Sequence, residues 1–413
     1  MKKTLKVLFI AYACEPNKGS EPGVGWSWAQ TFKDDVELHL ITRSNNERAI
    51  LDAPDHVGIT FHYYDLPIFI IRLKKYIGVQ VYHFLWQLFV TIRVYFLHKK
   101  NEFDIVQLLT FGVSWGGSLC GVFHRRFVWG PIGGGDVAPK VCRAEWGLMS
   151  RLRESIRGFA IKLMFELNPF ILINIHTAKL ILARTPDTFK LLANRNKKIK
   201  CILQTETFFQ HDPVENNEET IKERIELLQN NSLRLISVGR LMPLKQTEIA
   251  LATLNKLVNM GVDANLTIIG KGPEELRLRK KVFQQGLNDR VTFVGKVGRT
   301  KVFDHLEKSH FLLHFSAREG GSWSVHEACI SGLPVIGLNN SGVGMIVTEG
   351  LGLVLPPDKL DLTSDLASHY IIKYIRSPME WSEMVLSMPN IYKQENDLEL
   401  HRGRIMQMWQ ELI

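Results

Sequence analysis

The sequence predicts an α/β protein built from two doubly wound, parallel-sheet domains. Short apolar segments rich in strand-forming residues alternate with amphipathic helical segments over almost the whole chain, which is typical of parallel sheets covered by helices. The 413 residues are too many for one ordinary domain and suit two domains of about 200 residues each. A polar stretch from Asp212 to Asn231 separates the two alternations and is interpreted as the linker between the domains.

The order of the elements follows from the hydrophobic periodicity. In the first half it predicts strands over residues 5–13, 36–43, 59–65, 105–110, 126–132 and 179–185, with helices over 24–33, 68–99 and 147–166. In the second half it predicts strands over 233–239, 264–269, 291–295, 311–316 and 334–338, with helices over 246–260, from 273 onward, 300–309 and 324–331. The C-terminal residues are expected to be helical.

Composition and charge limit the classes of function. Hydrophobic residues make up 45% of the chain and charged residues 23%, which is typical of a folded soluble protein. The five cysteines show no paired spacing, which predicts reduced packing cysteines in a cytoplasmic protein rather than a disulfide framework or a zinc site. The net charge of +9 favours anionic partners, but no nucleic-acid recognition motif is present, so nucleic acid is not an expected partner.

Four features of the second half fall just after predicted strand ends, where a doubly wound domain binds its ligand. They are Gly239-Arg240 with Lys245, the turn Gly270-Lys271-Gly272-Pro273, the segment Val294-Gly295-Lys296-Val297, and the stretch from Ser316 to Ala328. Arg240 and Lys245 flank the start of a helix and could hold a diphosphate between two positive charges. Two solvated surface cations are the alternative interpretation of this pair.

The stretch from Ser316 to Ala328 carries two carboxylates. Its predicted strand ends in a glycine-rich turn and runs directly into a helix, whose free backbone N–H groups suit a phosphate. Glu319 lies before the turn, and Glu327 lies eight positions later in the helix. One carboxylate can therefore face a sugar while the other accepts hydrogen bonds from ribose hydroxyls.

Glu319 and Glu327 match the E-x7-E signature of the family-four retaining glycosyltransferases, and the second half of the chain resembles that family throughout. The other matching segments, in the family's order and spacing, are Gly239-Arg240, Lys245, Gly270-x-Gly272-Pro273, Val294-Gly295 and Gly332-x-Pro334. The resemblance implies the GT-B fold, in which two Rossmann-like domains face each other across a cleft and a C-terminal helix returns to the first domain. It implies an acceptor-side domain over 1–210, completed by 390–413, and a nucleotide-sugar-binding domain over 211–389.

The resemblance also implies a role for each matching residue. Glu319, Arg240 and Lys245 would form the catalytic set, in which the two cations neutralise the donor diphosphate and Glu319 contacts hydroxyls of the transferred sugar. Glu327 would bind the ribose, and Val297 would lie beside the base. The remaining donor-binding residues would be Gly239, Gly270, Gly272, Gly320, Gly321, Ser322, Trp323 and Ser324.

Two positions of this half depart from the family pattern. His326 stands where a bulky aliphatic residue is usual, and Met345 stands where a glutamate is common. We interpret His326 as a hydrogen-bonded helix histidine rather than a catalyst.

The first half carries glycine-rich segments after two predicted strands. Gly23-x-Gly25 invites a dinucleotide-binding interpretation, but that fingerprint needs a third glycine where this chain has Trp28. Together with Val128-Trp-Gly-Pro-Ile-Gly133, the segment resembles a bacterial subgroup of the family linked to surface-polysaccharide assembly. The resemblance implies an acceptor and phosphate loop formed by Gly19, Gly23, Val24, Gly25, Gly133, Gly134 and Gly135.

The expected mechanism relies on positioning and charge neutralisation. The family often has a histidine where this chain has Gln107, which cannot act as a base near neutral pH, so no general base is assigned. No protein nucleophile is evident, and the family implies displacement in which the leaving phosphate and the incoming hydroxyl share one side of the sugar. No DxD motif stands at a strand end, so neither a metal nor another cofactor is expected.

Residues 66–100 are unusually apolar and aromatic and are flanked by lysines and arginines. Gln80, His83, Gln87 and Thr91 recur at helical spacing as a narrow polar stripe, which argues against a membrane-spanning helix. Two interpretations remain: a core helix, or peripheral contact with an anionic membrane at the inner face of the plasma membrane.

Taken together, these features predict a glycosyltransferase that moves a sugar from a nucleotide-diphosphate sugar to a saccharide acceptor or a lipid-linked saccharide. Two alternatives stay open: a nucleotide-sugar epimerase on the same fold, and a GT-B module that binds nucleotide or glycan without turnover.

Overall fold

Two parallel β-sheets organise the chain, and helices cover both of them. The computed structural model describes residues 4–110, 117–195, 200–206 and 218–413. Contacts divide the chain into two units: unit 1 comprises Met1–Asp136, Ile156–Gln210 and Leu398–Ile413, and unit 2 comprises Val137–Ser155 and His211–Asp397.

The sheet of unit 1 has seven parallel strands in the order β3-β2-β1-β4-β5-β6-β7. Its strands are β1 (Lys6–Ile10), β2 (Glu37–Thr42), β3 (Ile59–Tyr63), β4 (Ile105–Leu108), β5 (Phe127–Ile132), β6 (Leu180–Ala183) and β7 (Lys200–Leu203). The helices in this part of the chain are α1 (Ser20–Phe32), α2 (Glu47–Leu51), α3 (Ile68–Asn101), α4 (Cys120–Phe123), α5 (Leu148–Leu167), α6 (Pro169–Thr177) and α7 (Pro186–Ala193). The central strands are buried on both faces, as their continuous apolar sequences require.

The sheet of unit 2 has six parallel strands in the order β10-β9-β8-β11-β12-β13. Its strands are β8 (Ser232–Val238), β9 (Asp263–Ile269), β10 (Val291–Gly295), β11 (Phe311–His314), β12 (Val335–Leu338) and β13 (Gly352–Leu355). The helices that follow β7 are α8 (Glu218–Gln229), α9 (Thr247–Asn259), α10 (Glu275–Gln284), α11 (Arg299–Glu307), α12 (Trp323–Ile330), α13 (Val343–Ile346), α14 (Leu360–Arg376), α15 (Pro378–Glu395) and α16 (Leu398–Glu411). The predicted doubly wound α/β class is confirmed for both sheets.

The units differ from the predicted domain ranges at residues 137–155, which were assigned to the first domain but pack with unit 2. The Gln246 side-chain amide donates to the Cys142 carbonyl over 2.9 Å, and Cys142 and Trp146 are buried in the same apolar core as Leu241. Near the C-terminus, α15 buries Trp381 and Val385 in the same core of unit 2. The C-terminal segment of unit 1 therefore begins at Leu398, whereas the prediction placed its start at residue 390.

The C-terminal helix α16 completes unit 1. Trp409 is fully buried, and its ring lies 4.8 Å from that of Phe32 and 5.8 Å from that of Phe9. Its indole N–H donates to the Gln107 amide oxygen over 3.0 Å, and the Gln107 amide nitrogen donates to the Gly130 carbonyl over 2.9 Å. Gln107 therefore holds β4, β5 and α16 together. Trp28 joins the same aromatic cluster, which explains why the helix after β1 carries it.

Several elements differ from the sequence-based prediction. Asp212–Asn231 was expected to be a linker, but its described part contains α8, whose buried Ile221, Arg224 and Leu228 recur at helical spacing. The stretch from Asp212 to residue 217 lies outside the described residues. The prediction also missed β7, β13, α6 and α7. All five cysteines are free, and all except Cys201 are buried.

Helix α3 buries a side that mixes polar and apolar side chains. His83, Gln87 and Thr91 are 2% exposed or less and are buried together with apolar residues, namely Tyr82, Trp86, Val90, Val94 and Leu97. Gln80 of the predicted stripe is exposed, and many other apolar side chains of the helix lie on the surface. Gly78, with φ 80° and ψ 164°, breaks the helix, and no residue from 68 to 81 is buried. The expectation of a core helix is therefore wrong for its first half.

Among the described residues, no single helix is both long and apolar enough to cross a membrane. Helices α5 and α6, which meet at 57°, reach that length and composition only as a bent pair.

Candidate functional site

The strand order of unit 2 reverses between β8 and β11, and the loops that follow these two strands carry most of the predicted residues. In an open α/β sheet, ligands bind outside the carboxyl ends of the strands at such a reversal. The loop after β8 leads from Gly239 through Lys245 into α9, and the loop after β11 leads from Phe315 through Ser322 into α12. The topology therefore places these two predicted segments side by side.

Backbone hydrogen bonds join the loops after β8, β9 and β10. The Gly239 N–H donates to the Ile269 carbonyl over 2.9 Å, and the Gly270 N–H donates to the Gly295 carbonyl over 2.8 Å. Gly270 and Gly272 permit this approach: a Cβ at Gly270 would lie 1.9 Å from the Gly239 oxygen, and a Cβ at Gly272 would lie 2.1 Å from the Leu241 oxygen. The predicted glycine turn therefore has a structural reason beyond any ligand.

The loops after β8, β11 and β12 are joined in the same way. The Ala317 N–H donates to the Leu244 carbonyl over 2.8 Å, and the Gly342 N–H donates to the Glu319 carbonyl over 3.0 Å. Gln246, Ser322 and Ser341 in these loops have φ of 47°, 40° and 52°. Left-handed backbone at non-glycine residues is strained, and such strain concentrates at functional sites. The loops after five neighbouring strands thus form one connected edge.

Lys245 and Glu319 meet at this edge. The Lys245 ammonium is in hydrogen-bonding contact with a Glu319 carboxylate oxygen. The same oxygen lies 3.3 Å from His314 Nε2, and His314 Nδ1 lies 3.4 Å from the Ser324 hydroxyl. His314 is the last residue of β11 and is buried. An ammonium, a carboxylate, an imidazole and a hydroxyl therefore form a continuous polar cluster.

The charges of this cluster follow from its burial and from the contacts between its members. Burial raises the pKa of Glu319, but the Lys245 charge and the His314 hydrogen bond outweigh it and hold the pKa far below its usual range. Burial lowers the pKa of His314 in spite of the Glu319 carboxylate, so the imidazole is neutral at pH 7. A neutral His314 can donate from Nε2 to Glu319 and accept at Nδ1 from Ser324. Glu319 is consequently ionised and is no proton donor.

Glu327 lies in α12 and pairs with a residue that the sequence did not single out. Arg299, at the start of α11, places its Nε 2.9 Å from a Glu327 carboxylate oxygen. The guanidinium also lies 5.6 Å from the centres of the Trp323 and Phe303 rings. Burial raises the pKa of Glu327, and the Arg299 charge opposes that rise. The only sequence signal for Arg299 is its position two residues after Val297.

The other predicted donor-side residues lie along the same edge with fewer contacts. Arg240 is exposed, and no side-chain hydrogen bond or ion pair of Arg240 occurs within the described parts of the chain. Val297 is half-buried between β10 and α11. Gly320, Gly321 and Ser322 form the turn before α12, in which Trp323 and Ser324 are the first residues. Arg240 therefore shares a loop with Lys245 but is not part of the Lys245–Glu319 cluster.

In unit 1, the predicted acceptor and phosphate loop is only partly a loop. Helix α1 begins at Ser20, so Gly19 precedes it while Gly23, Val24 and Gly25 lie within its first two turns and are buried. A Cβ at Gly25 would lie 2.3 Å from the Ala13 carbonyl oxygen, which accounts for this glycine through close packing of the helix on the segment after β1.

Gly133, Gly134 and Gly135 follow β5 as predicted, and Gly133 makes room for the partly buried side chain of Arg184. A Cβ at Gly133 would lie 1.9 Å from Arg184 Nε. Arg184 pairs with Glu206 and lies 3.6 Å from a Glu21 carboxylate oxygen. One cation and two carboxylates together carry a net negative charge, which suits the hydroxyl groups of a ligand better than a phosphate.

Two of the residues that depart from the family pattern, Gln107 and His326, have structural partners. Gln107 is buried and bonded through both of its side-chain atoms, as described above. His326 is buried, and its Nδ1 lies 2.6 Å from the Tyr392 hydroxyl, which joins α12 to α15 and agrees with its interpretation as a hydrogen-bonded helix histidine. Within the described ranges, no three His, Cys, Asp or Glu side chains come together as metal ligands would.

Comparison with known proteins identifies this part of the chain. Residues 218–383 match the family described as glycosyl transferases group 1. This segment is similar to group 1 glycosyl transferases and is hereafter called the group 1 domain. The match runs from α8 into α15 and includes every residue of the Lys245–Glu319 cluster and of the Arg299–Glu327 pair.

Curated relatives match the chain over shorter lengths. The chain is similar to N-acetyl-alpha-D-glucosaminyl L-malate synthase of Bacillus anthracis, at 29% identity over 116 residues, or 28% of this chain and 30% of that protein. It is also similar to the amylovoran biosynthesis glycosyltransferase AmsK of Erwinia amylovora, at 28% identity over 132 residues, or 30% of this chain and 32% of that protein. The matches therefore span about a third of the length of these relatives.

Solved structures match nearly the whole chain. The crystal structure of HepE from Anabaena in complex with UDP is 16% identical and covers 98% of this chain and 100% of its own, with a TM-score of 0.64. At this identity the likeness shows a shared fold. Besides its group 1 domain, the chain therefore has the GT-B fold that the resemblance implied.

Replacing His314 with leucine is expected to lower kcat/KM by about 10- to 100-fold, because Glu319 loses a hydrogen bond to a charged group. His314→Gln, which keeps an N–H donor, should recover part of the loss. Steady-state kinetics measure both.

His310 provides the matched control at the opposite end of β11. It is equally buried, and its ring nitrogens lie 2.9 Å and 3.0 Å from the backbone of Arg234 and Arg224. His310→Leu should lower the melting temperature while leaving kcat/KM of the folded protein near wild type. Equal kinetic losses in the two variants would contradict a role for His314 in positioning Glu319.

Proposed function

We propose that the protein is a retaining glycosyltransferase that moves a sugar from a nucleotide-diphosphate sugar to a saccharide or a lipid-linked saccharide during assembly of a cell-surface polysaccharide. The observation that carries the proposal is the contact of Lys245 with Glu319 at the reversal point of the group 1 domain. A cation beside an ionised carboxylate, at the edge where such folds bind nucleotides, suits a ligand that joins a phosphate to a sugar.

Lys245 would neutralise the donor diphosphate while holding Glu319. An ammonium has three N–H donors, of which Glu319 needs one, so the others can reach phosphate oxygens. The exposed Arg240 on the same loop would add a second cation. Positive charge from these two side chains would stabilise the leaving diphosphate, and we expect transfer to proceed in the presence of a metal chelator.

Glu319 would contact the transferred sugar. Its low pKa keeps it ionised, so it accepts hydrogen bonds from sugar hydroxyls and stabilises positive charge that develops on the ring. Glu327 would accept hydrogen bonds from the ribose, and Arg299 would keep that carboxylate charged before the donor binds. Both carboxylates orient the donor, and neither needs to form a covalent intermediate.

The experiment combines a donor panel with product analysis. UDP-, GDP- and ADP-sugars are screened by thermal shift, since a ligand that binds only the native state raises its melting temperature. The donor that binds is then incubated with saccharide and lipid-linked acceptors, with and without a chelator, and the anomeric configuration of the product is read by NMR.

The outcomes separate the candidate functions. Nucleotide release that depends on an acceptor, with retained configuration in the product, supports the proposal. Isomerised sugar supports the epimerase, binding without turnover supports the non-catalytic module, and an inverted product overturns the retaining mechanism.

We also propose a cytoplasmic location at the inner face of the plasma membrane. The free, unpaired cysteines favour a reducing compartment. A lipid-linked acceptor would require the enzyme to work beside a bilayer.

A further inference from the structure

The surface of unit 1 carries a broad apolar region on α3 and on the second part of α5. We define the α3–α5 surface as the exposed apolar side chains of these segments, namely Ile68, Phe69, Ile71, Leu73, Tyr76, Val79, Val81, Phe89, Ile92 and Phe96 of α3 and Ile156, Phe159, Leu163, Met164 and Leu167 of α5. Contiguous exposed apolar regions of this kind mark interaction sites.

The two helices contribute to one surface rather than to two separate patches. Val81 and Phe84 of α3 line a cavity of about 530 Å³ together with Leu163, Met164 and Leu167 of α5. Phe84 closes one side of this cavity through an edge-on contact with Phe170, with ring centres 5.0 Å apart. The exposed apolar side chains of α3 therefore continue onto α5.

The exposed apolar side chains of α3 are distinct from the side of the helix that packs into unit 1. His83, Gln87 and Thr91 are buried, and the Gln87 amide nitrogen lies 3.2 Å from His83 Nε2. The His83 ring packs edge-on against the buried Tyr12, at 4.9 Å between ring centres. This buried side also includes Tyr82, Trp86 and Val90, and the exposed apolar side chains of α3 are additional to those that pack into the unit.

The charge of α3 indicates what covers this face. Its 34 residues contain six lysines and arginines (Arg72, Lys74, Lys75, Arg93, Lys99 and Lys100) and no aspartate or glutamate. A partner must therefore be apolar at the surface it presents and negatively charged around it. A second copy of this chain is disfavoured, because the same cations would face one another.

We propose that the α3–α5 surface docks on an anionic lipid bilayer. The exposed aliphatic and aromatic side chains enter the boundary between headgroups and acyl chains, and the cations of α3 lie among anionic headgroups. The first half of α3, where nothing from residue 68 to 81 is buried, makes most of the contact. Isolated helices of this length are marginal in water, so the bilayer also stabilises this half of the helix. The proposal does not depend on the chemistry of the donor site.

Vesicle flotation of the full chain tests the proposal. The protein is mixed with phosphatidylcholine vesicles, or with vesicles in which about a third of the lipid is phosphatidylglycerol, at ~0.1 M and ~1 M salt, where the Debye length falls from about 10 Å to about 3 Å. We expect flotation with the anionic vesicles at low salt and weaker flotation at high salt or without phosphatidylglycerol.

Two variants separate the apolar and the electrostatic contributions. Phe69→Ser with Tyr76→Ser should lower the vesicle partition coefficient at least tenfold at both salt concentrations. Arg72→Ala with Lys75→Ala should lower it about 25-fold at low salt, at about fivefold for each cation, and change it little at high salt. The matched control is Leu276→Ser with Phe283→Ser on α10, where the side chains are 82% and 73% exposed against 62% and 75% for Phe69 and Tyr76. The control should bind vesicles as wild type does.

A second readout keeps this proposal separate from the proposed function. Thermal shift with soluble sugar nucleotides should be the same for wild type and for all three variants, because these side chains lie outside the donor site. If the wild type stays unbound with anionic vesicles at low salt, or the Phe69/Tyr76 variant floats as well as wild type, the proposal is wrong. It is equally wrong if that variant instead converts a wild-type dimer to monomer, which would assign the surface to a second copy.

Discussion

Replacing Lys245 with alanine is expected to lower kcat/KM for the sugar nucleotide by about 30- to 900-fold. The substitution removes a cation from the diphosphate and leaves the Glu319 carboxylate largely buried without its main partner. Losing one partner of a charge-assisted contact in a closed site costs about 2–4 kcal/mol, which corresponds to this range. Steady-state kinetics with the donor identified by thermal shift provide the measurement.

The stability of this variant should depend on pH in a defined direction. Because the pKa of Glu319 is lowered in the folded protein, its ionisation stabilises the fold above the unfolded-state pKa of about 4.3, and this contribution is lost as the pH falls through the folded pKa. Lys245→Ala removes most of the cause of that lowering. Its free energy of unfolding should therefore fall below wild type at pH 7, and the difference should shrink below about pH 4.

Two further variants make the interpretation specific. Lys256→Ala breaks a comparable pair with Asp365 elsewhere in unit 2, at similar lysine exposure (24% against 20%), and should leave kcat/KM unchanged. Lys245→Ala combined with Glu319→Gln removes the unpaired carboxylate and should recover stability without recovering activity. An active double variant would show that neither side chain acts on the donor.

Gly270→Ala is expected to destabilise unit 2 by about 3 kcal/mol or more and to abolish donor binding. Gly270 has φ 137°, where residues with a Cβ are strained by about 1–3 kcal/mol. The new Cβ would also lie 1.9 Å from the Gly239 oxygen, so the backbone that leads to Arg240 and Lys245 must move. For a domain of this size the melting temperature should fall by roughly 6–12 °C, measured by calorimetry alongside sugar-nucleotide binding.

Gly261→Ala separates the two causes. Gly261 also has a positive φ, 82°, but nothing lies within 4 Å of its Cβ position. Its substitution should cost only the conformational strain, about 1–2 kcal/mol, and leave donor binding intact. If both variants lose the same stability and both bind the donor, then Gly270 is not needed for the close contact between the loops after β8 and β9.

The sequence indicated which residues meet at this edge of unit 2 better than it indicated how they pair. Lys245 and Glu319 are 74 positions apart, yet both could be assigned because each follows a strand and the parallel topology brings strand ends to one edge. Arg299 and His314 were missed, because a single arginine at a helix start and a single histidine at a strand end have no spacing that sets them apart. Which cation a carboxylate selects depends on loop geometry, which residue spacing does not specify.

In the fold, too, the residue pattern predicts the elements but not how they pack. Periodicity located most strands and helices, since it reflects which positions face an apolar interior. It did not show that residues 137–155 leave the first unit, because that depends on contacts between Cys142 and Gln246 across 104 positions. Periodicity also identified the polar stripe of α3 without showing that His83, Gln87 and Thr91 are buried beside apolar residues while Gln80 is exposed.

Because α16 packs on the first part of the chain, unit 1 cannot complete its core until α16 has been synthesised. The ribosome makes Phe9 and Phe32 before unit 2, but the indole that packs on them belongs to Trp409, which is made after unit 2. Until then the aromatic side chains of the first unit are without their native cover, and a nascent chain in that state is prone to aggregate. Unit 2, whose residues all precede Leu398, can finish folding first.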